Sequence, residues 1–453
     1  MTKPWDCIVI GGGFAGLSAA TALAEQGARV LALERRPRLG GRAYSLRDET
    51  TGDAVDNGQH LMMGCYRETL RFLERIGSRH LARAFDAPRV DFLSPDGAAS
   101  FVCPPLPAPF HMLAGLLRLG SLSLGDKLGT LRVGWSLRRA KRDYRARYAE
   151  ATVADWLREC RQSPRMRERF WDPLVIATLN EPPERAAATL LMRVLHQGFG
   201  GSFDDSKMVV STVGLSELYV EQARRFLEAR GGAVRLQSSV KALQVERGRF
   251  RGVALTNGES VAAEACISSA PPQDVAKYAG ALAPTAAHLT SSPIVSVNLW
   301  FDRPIFDAPF VGLIGTTMQW AFDKRAFTTP TSGLRHLALV VSAARQIAHL
   351  PAKDLVSLAL DDLRRVTSKV NSARLAHARV IKERQATFSA TPAAEKLRPQ
   401  HETSVEGFYL AGDWTDTGLP ATIESAVVSG HACAARVLEY LRAPKTAAAR
   451  VAV

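Results

Sequence analysis

The run Cys7-Ile8-Val9-Ile10 is apolar without alternation, the pattern of a strand buried on both faces. It breaks into glycines and then into a helical pattern over 14–26, which Gly27 stops, and 29–34 supplies the next strand. Together these predict a β-α-β unit with a right-handed crossover. Leu70, Phe72, Leu73 and Ile76 recur at helical spacing within 66–76, with Gly77 as the stop. From about 72 to 205 the pattern reads mainly helical, interrupted by Pro104, Pro105, Pro107 and Pro109. A second α/β section follows: a helix over 215–229, a Gly231-Gly232 stop, and strands near 233–236, 240–246, 250–256 and 265–269. Asn257-Gly258 marks a tight turn between two of these strands. β-rich patterns at 294–301 and 335–342 predict a sheet in a separate domain, and 407–441 reads strand, Gly-rich turn, helix.

A chain of 453 residues exceeds the size at which one core usually stops growing, so two domains are expected. The expected division is 1–71, 206–275 and 395–442 in one discontinuous domain and 72–205 and 276–394 in a second, with 443–453 as a flexible tail. Charge then narrows the partners. A net charge of +14 suits nucleic acid, an anionic membrane surface or a phosphorylated ligand. The basic residues thicken at Arg138, Arg139, Lys141, Arg142, Arg145 and Arg147, after an apolar stretch at 106–124 holding Phe110, Met112, Leu113, Leu116, Leu117 and Leu119. No nucleic-acid motif accompanies them, so nucleic acid is not expected and an anionic membrane surface is favoured. The apolar stretch reads equally well as an interfacial element or as a core helix followed by a solvated basic one. No window reaches the roughly 18 uninterrupted apolar residues of a spanning helix, and no leader pattern is visible. The expectation is a cytoplasmic protein held peripherally at the inner face of the membrane. Six cysteines stand singly without C-x-x-C spacing, which predicts reduced thiols and neither a disulfide framework nor a metal site.

The chemistry begins at Gly11, Gly13 and Gly16, a G-x-G-x-x-G that follows a strand and opens a helix through Phe14 and Ala15. Gly11 permits the turn, Gly13 lets a pyrophosphate approach backbone N–H groups, and Gly16 allows the helix to pack on the strand. Glu34, 18 residues beyond Gly16 at the end of the second strand, is placed to bind ribose hydroxyls. The next segment, Arg35-Arg36-Pro37-Arg38-Leu39-Gly40-Gly41-Arg42, reads in isolation as a solvated basic loop. Its L-G-G-R, directly after the ribose carboxylate, resembles the signature of the amine oxidase and carotenoid desaturase superfamily of flavoproteins. Gly412-Asp413 and the helix beginning near Thr422 and Ile423 resemble that superfamily's second FAD motif. The resemblance implies an α/β fold: a Rossmann-like FAD-binding domain of the glutathione-reductase/amine-oxidase type with an inserted mixed α+β substrate domain. It also implies that Arg42 neutralises phosphate, and it assigns cofactor contacts to Gly11, Gly13, Phe14, Ala15, Gly16, Glu34, Arg35, Gly41, Arg42, Gly58, Gln59, Val240, Gly412, Asp413, Thr422 and Ile423. No cysteine lies between Ile381 and Trp414 to tether a flavin, so the FAD is expected to be noncovalent.

Within the superfamily, amine oxidases carry an aromatic residue where this chain has Thr422, which weakens an amine substrate. The segments Asp56-Asn57-Gly58-Gln59-His60, Leu179-Asn180-Glu181-Pro182-Pro183-Glu184 and Thr417-Gly418-Leu419-Pro420-Ala421-Thr422-Ile423-Glu424 resemble the squalene-associated FAD-dependent desaturases, the hydroxysqualene dehydroxylase family of bacterial hopanoid biosynthesis. Glu181 departs from it, a small polar residue such as Thr being expected there. The resemblance implies reductive dehydroxylation of hydroxysqualene to squalene, with a long-chain isoprenoid substrate and other squalene-pathway enzymes as partners. Hydroxide leaves poorly, so an acid is required, and His60 is the first candidate. The alternative is that His60 and Gln59 only hydrogen-bond FAD or backbone, while Glu424 reads as a helix-end carboxylate. Two other readings stay open: a carotenoid- or phytoene-type desaturase, and a non-catalytic flavin-binding accessory protein.

Overall fold

The computed structural model describes residues 5–139 and 143–443; Lys141, Arg142 and nearly all of the expected tail lie outside them. Its first sheet is built from both ends and the middle of the chain. The strand Trp5–Ile10 pairs in parallel with Val30–Leu33 on one side and Ser260–Ser268 on the other, and Ala233–Arg235 extends the sheet beyond Val30–Leu33. Val30–Leu33 is buried throughout, as its unbroken apolar run requires. Besides Trp5–Ile10, the strand Ser260–Ser268 has two further partners. Its first half pairs antiparallel with Arg249–Leu255, which continues into Val240–Glu246, and its second half pairs in parallel with Phe408–Leu410. The last of these pairings delivers the C-terminal segment to the glycine loop.

The helix Phe14–Glu25 packs against the final helix, Ile423–Arg442, through small residues. A Cβ at Gly430 would lie 2.3 Å from the Ala15 carbonyl oxygen, so the contact closes only without a side chain there. The strands that precede them, Trp5–Ile10 and Phe408–Leu410, both run parallel to Ser260–Ser268, so both helices start at the same end of the sheet.

The second sheet has seven strands, running in space from Leu375–Phe388 through Ser291–Phe301, Arg335–Val341, Trp320–Asp323, Phe310–Leu313 and Arg89–Ser94 to Gly97–Val102. The helix Ala352–Val366 buries Leu355, Ala359 and Leu363, four residues apart, in the same core as this sheet. Within 72–205, which is mainly helical as expected, the hairpin Arg89–Val102 is the exception that the pattern did not predict. Its signal is short: Val90 and Phe92 flank Asp91 at period two, and Gly97 takes φ +131° in the turn. The helices of the insertion follow it, among them Phe110–Arg118, Leu124–Arg139, Asp172–Leu179 and Ala188–Val194. All six cysteines are free.

Candidate active site

Gly11 adopts φ +101°, a conformation that side chains disfavour, and donates its N–H to Leu33 O at 2.8 Å. A Cβ on Gly16 would stand 2.0 Å from Gly11 O. The helix that follows has Gly13 as its N-cap, no side-chain cap and no acid in its first turn. Its N-terminal N–H groups and positive dipole end are thus suited to an anion. Phe14 turns its ring onto Tyr219, with centroids 3.7 Å apart, and Ala15 lies under the final helix, so these two residues can serve a ligand only through their backbone.

Glu34 is buried, with Oε2 accepting the Gly12 N–H at 2.9 Å and Oε1 accepting the Arg36 N–H at 2.9 Å. Ser238 N–H donates to Glu34 O at 2.9 Å and Gln237 N–H to Arg36 O, which brings the strand that Val240 opens to this corner. Arg35 points outward, in an ion pair of 3.1 Å with Asp274.

The two glycine-rich segments meet across the molecule. The Arg42 guanidinium pairs with the buried Asp413 carboxylate and donates to Ala386 O at 3.2 Å. Burial opposes the charge on Arg42, but the adjoining Asp413 carboxylate outweighs it and holds the guanidinium protonated above its ordinary range. Gly41 takes φ +57° and sits so close to Gly13 that a Cβ there would lie 3.1 Å from Gly13 Cα. Gly412, at φ +133°, donates to Ser429 Oγ of the final helix at 2.8 Å. Thr422 caps that helix, its Oγ1 accepting the Ser425 N–H at 3.1 Å, and Ile423 is its first residue. Arg36, Arg42, Glu383, Gln385, Phe388 and Trp414 share one cavity beside this junction. An unblocked helix N-terminus, a side-chain-free cradle and a fixed guanidinium together fit a dinucleotide pyrophosphate.

The D-N-G-Q-H segment is fastened to the same loop. Asn57 Nδ2 donates to Arg42 O at 2.9 Å and its Oδ1 accepts the Tyr44 N–H at 3.1 Å. Gly58 follows, with the His60 ring 3.7 Å from where its Cβ would be. His60 Nε2 is buried without a hydrogen-bond partner. Burial lowers its pKa below the ordinary histidine value, Asp56 opposes that shift and Lys324 adds to it, so the imidazole is neutral at pH 7. Gln59 Oε1 accepts from Lys324 Nζ at 2.8 Å, and Lys324 Nζ also donates to Asp56 Oδ2 at 3.0 Å. Sequence reasoning missed Lys324. It lies 265 and 268 residues beyond its partners in a segment without a motif, and only the acidic Asp56 hinted that a cation was needed.

Two motif carboxylates have structural partners. Glu424 accepts the N–H groups of Glu68 and Thr69 at 3.0 and 2.9 Å, capping the helix Arg67–Arg75. Glu181, fully buried, forms a two-pronged ion pair with Arg345 and also meets Arg185 and Ser389. Its neighbour Asn180, at φ +52°, accepts the Ala343 N–H, so the L-N-E-P-P-E segment ties the helical insertion to the second sheet.

The sequence model of the flavin-containing amine oxidoreductases matches residues 14–438. The chain belongs to this family. Its fold agrees: cyclohexylamine oxidase from Brevibacterium oxydans IH-35A superposes with a TM-score of 0.72 at 18% identity, over 97% of this chain and all of that one. By sequence the chain is similar to hydroxysqualene dehydroxylase of Rhodopseudomonas palustris, 29% identical over 96% of this chain and 99% of the relative. It is also similar to the 15-cis-phytoene desaturase of Solanum lycopersicum, 25% identical over 97% and 78% of the two chains. As a member of the flavin-containing amine oxidoreductases it is an FAD-dependent oxidoreductase with a Rossmann-like cofactor domain.

Proposed function

We propose that this flavoenzyme reductively dehydroxylates hydroxysqualene to squalene, with segments 1–71, 206–275 and 395–442 holding FAD and 72–205 and 276–394 forming the substrate domain. The observation that carries the reading is the D-N-G-Q-H segment, bound through Asn57 to the Arg42 loop. The nearly full-length likeness to hydroxysqualene dehydroxylases supports it. Bound reduced flavin supplies the hydride for the allylic carbinol carbon. The chain's own residues do the rest. The helix start at Gly13 and Arg42 would bind pyrophosphate, Glu34 and the strand at Val240 would meet the ribose, and the positive end of the helix capped by Thr422 would favour negative charge on the reduced flavin. His60 serves as a neutral hydrogen-bonding group.

Anaerobic mixing of the reduced holoenzyme with hydroxysqualene tests this: flavin should reoxidise in one turnover and squalene should appear. Phytoene reducing the oxidised enzyme, with hydroxysqualene inert, would establish the desaturase reading instead. A flavin indifferent to both substrates would overturn both.

The substrate reading extends to a surface. On the helix Leu124–Arg139 the side chains of Leu124, Leu128, Leu131 and Trp135 are 53–67% exposed at a spacing of four, three and four residues, which puts them on one face. Phe110 and Leu117 of the preceding helix are also exposed. Arg118, Arg132, Arg138 and Arg139 are exposed on the same two helices, and Arg139 lies over the Trp135 ring. An apolar face with cations beside it fits an anionic bilayer, from which a long isoprenoid chain would enter.

A further inference from the structure

Lys324 brings a buried ammonium to this region, and its position is fixed by the backbone. It opens the turn Lys324–Ala326 directly after the strand Trp320–Asp323, and Asp323 closes that turn by accepting the Arg325 N–H at 3.0 Å. The side chain runs inward and is only 5% exposed. An ammonium has three N–H donors. Asp56 Oδ2 and Gln59 Oε1 take two of them, at 3.0 and 2.8 Å. Asp56 is in turn held as an acceptor by Ser45 Oγ at 2.7 Å and the Leu215 N–H at 3.1 Å.

A small cavity adjoins this pair, lined by Asp56, Gln59, Ser296, Asn298, Lys324 and Ala338. Ser296 and Asn298 stand two residues apart on the strand Ser291–Phe301 and so share a face. Both side chains are 2% exposed, and Ser296 Oγ and Asn298 Nδ2 have no hydrogen-bond partner, although Asn298 Oδ1 is engaged by His336 Nε2 at 2.9 Å. Buried polar atoms without partners carry a desolvation cost, and here two of them border the cavity that Lys324 also lines. Asn57 meanwhile fixes the neighbouring residue of the motif to the Arg42 loop. The arrangement supplies donors and an acceptor to a single oxygen atom, next to a charged acid, at the end of the segment that contacts the cofactor loop.

We propose that this cavity receives the substrate's hydroxyl oxygen, and that Lys324 is the catalytic acid, with Asp56 and Gln59 positioning its ammonium and Ser296 and Asn298 hydrogen-bonding the oxygen. The assignment rests on the dehydroxylation reading above. As the C–O bond breaks, both its electrons go to oxygen, Lys324 Nζ passes a proton to that oxygen, and water leaves. The carbon gains its new hydrogen with an electron pair from reduced flavin, and neutral Lys324 regains a proton from water. His60 cannot take this part as readily, since burial and the nearby Lys324 charge keep it unprotonated. The charged and titratable groups facing Lys324 are Asp56, His60 and His336.

Two measurements on the FAD-loaded protein test the assignment. In the oxidised state, where no turnover occurs, a C15 allylic isoprenoid alcohol should bind at least about tenfold more tightly than its matched hydrocarbon, because only the alcohol satisfies the buried polar atoms. Lys324→Met should erase that preference, with FAD content unchanged. A wild-type enzyme with no preference, or a Lys324→Met enzyme that keeps it, overturns the site whether or not hydroxysqualene is the substrate. In single turnover, Lys324→Arg retains the positive charge beside Asp56 but cannot release a proton, and should slow dehydroxylation roughly 100-fold or more. The same variant should reduce the matching allylic chloride, whose single-atom leaving group needs no proton, at close to the wild-type rate. Equal losses on alcohol and chloride would assign Lys324 a structural role and overturn its role as acid. Undiminished dehydroxylation by Lys324→Arg would do the same while leaving the dehydroxylase reading intact.

Discussion

A methyl group on Gly16 would stand 2.0 Å from Gly11 O, so Gly16→Ala must push the helix Phe14–Glu25 away from the strand that precedes the loop. The expected outcome is protein purified without yellow colour and with lowered stability; a variant retaining stoichiometric FAD would refute the tight-packing role. His336 gives a pH-dependent prediction. Its ring stacks on Trp300 at 4.2 Å, and burial, aided by the Lys324 charge, pushes its pKa from 6.5 down to about 3. Between those values the unfolded chain binds a proton that the folded one excludes, so this group's contribution to stability falls as pH drops below 6.5. The slope is about 1.4 kcal/mol per pH unit for one such group. On lowering the pH from 6.5 to 5, urea unfolding should show wild type losing about 1.6 kcal/mol more than His336→Phe; equal losses in both would refute the assignment. At this scale the legible residues were those whose chemistry is local. Gly11, Gly16, Arg42 and Asp413 stand in short motifs whose spacing carries their geometry. Lys324, Ser296 and Asn298 were not legible, because only the pairing of distant strands brings them to Asp56. Arg345 was equally hidden, so Glu181 read as an anomaly when it is one half of a buried ion pair.

Among the elements, the strand Trp5–Ile10 and the helix Ile423–Arg442 lie where their apolar runs put them, and so do the short strands Val30–Leu33 and Ala233–Arg235. The hairpin Arg89–Val102 was not legible, because its short period-two signal stands in a region of mainly helical pattern. The helix Leu124–Arg139 shows why patterning alone left its role open: Val133 and Leu137 face the core, while Leu124, Leu128, Leu131 and Trp135 are exposed. Among the described residues no helix is long and apolar enough to cross a membrane, which leaves contact with one leaflet as the way such a face could meet lipid. The paired substitution Leu128→Asp and Trp135→Glu should abolish flotation with anionic vesicles at low salt while FAD content stays at the wild-type level. Flotation unaffected by the pair, or absent in wild type, would remove the bilayer as the occupant of this face.

At the scale of the whole molecule, the cofactor junction is where the ends of the chain are joined. Arg42 and Asp413 are 371 residues apart in sequence yet share an ion pair, and the Gly412 N–H is held by Ser429 of a helix that packs against Phe14–Glu25. Bringing such distant segments together has a large loop-closure cost, and a ligand that contacts both adds its binding free energy to the folded state only. FAD should therefore stabilise the entire protein rather than one loop. At a free concentration 100 times its Kd the gain is about 2.7 kcal/mol, and the unfolding midpoint should rise with the logarithm of FAD concentration. Arg42→Met removes the cation on which both segments converge, so its midpoint should respond to FAD only at much higher concentration. Limited proteolysis supplies the discriminating measurement: added FAD should protect sites near Arg36 and sites near Asp416 in parallel. Protection of the N-terminal loop alone would mean that the C-terminal segment docks without help from the cofactor, and the joined-ends account would fail.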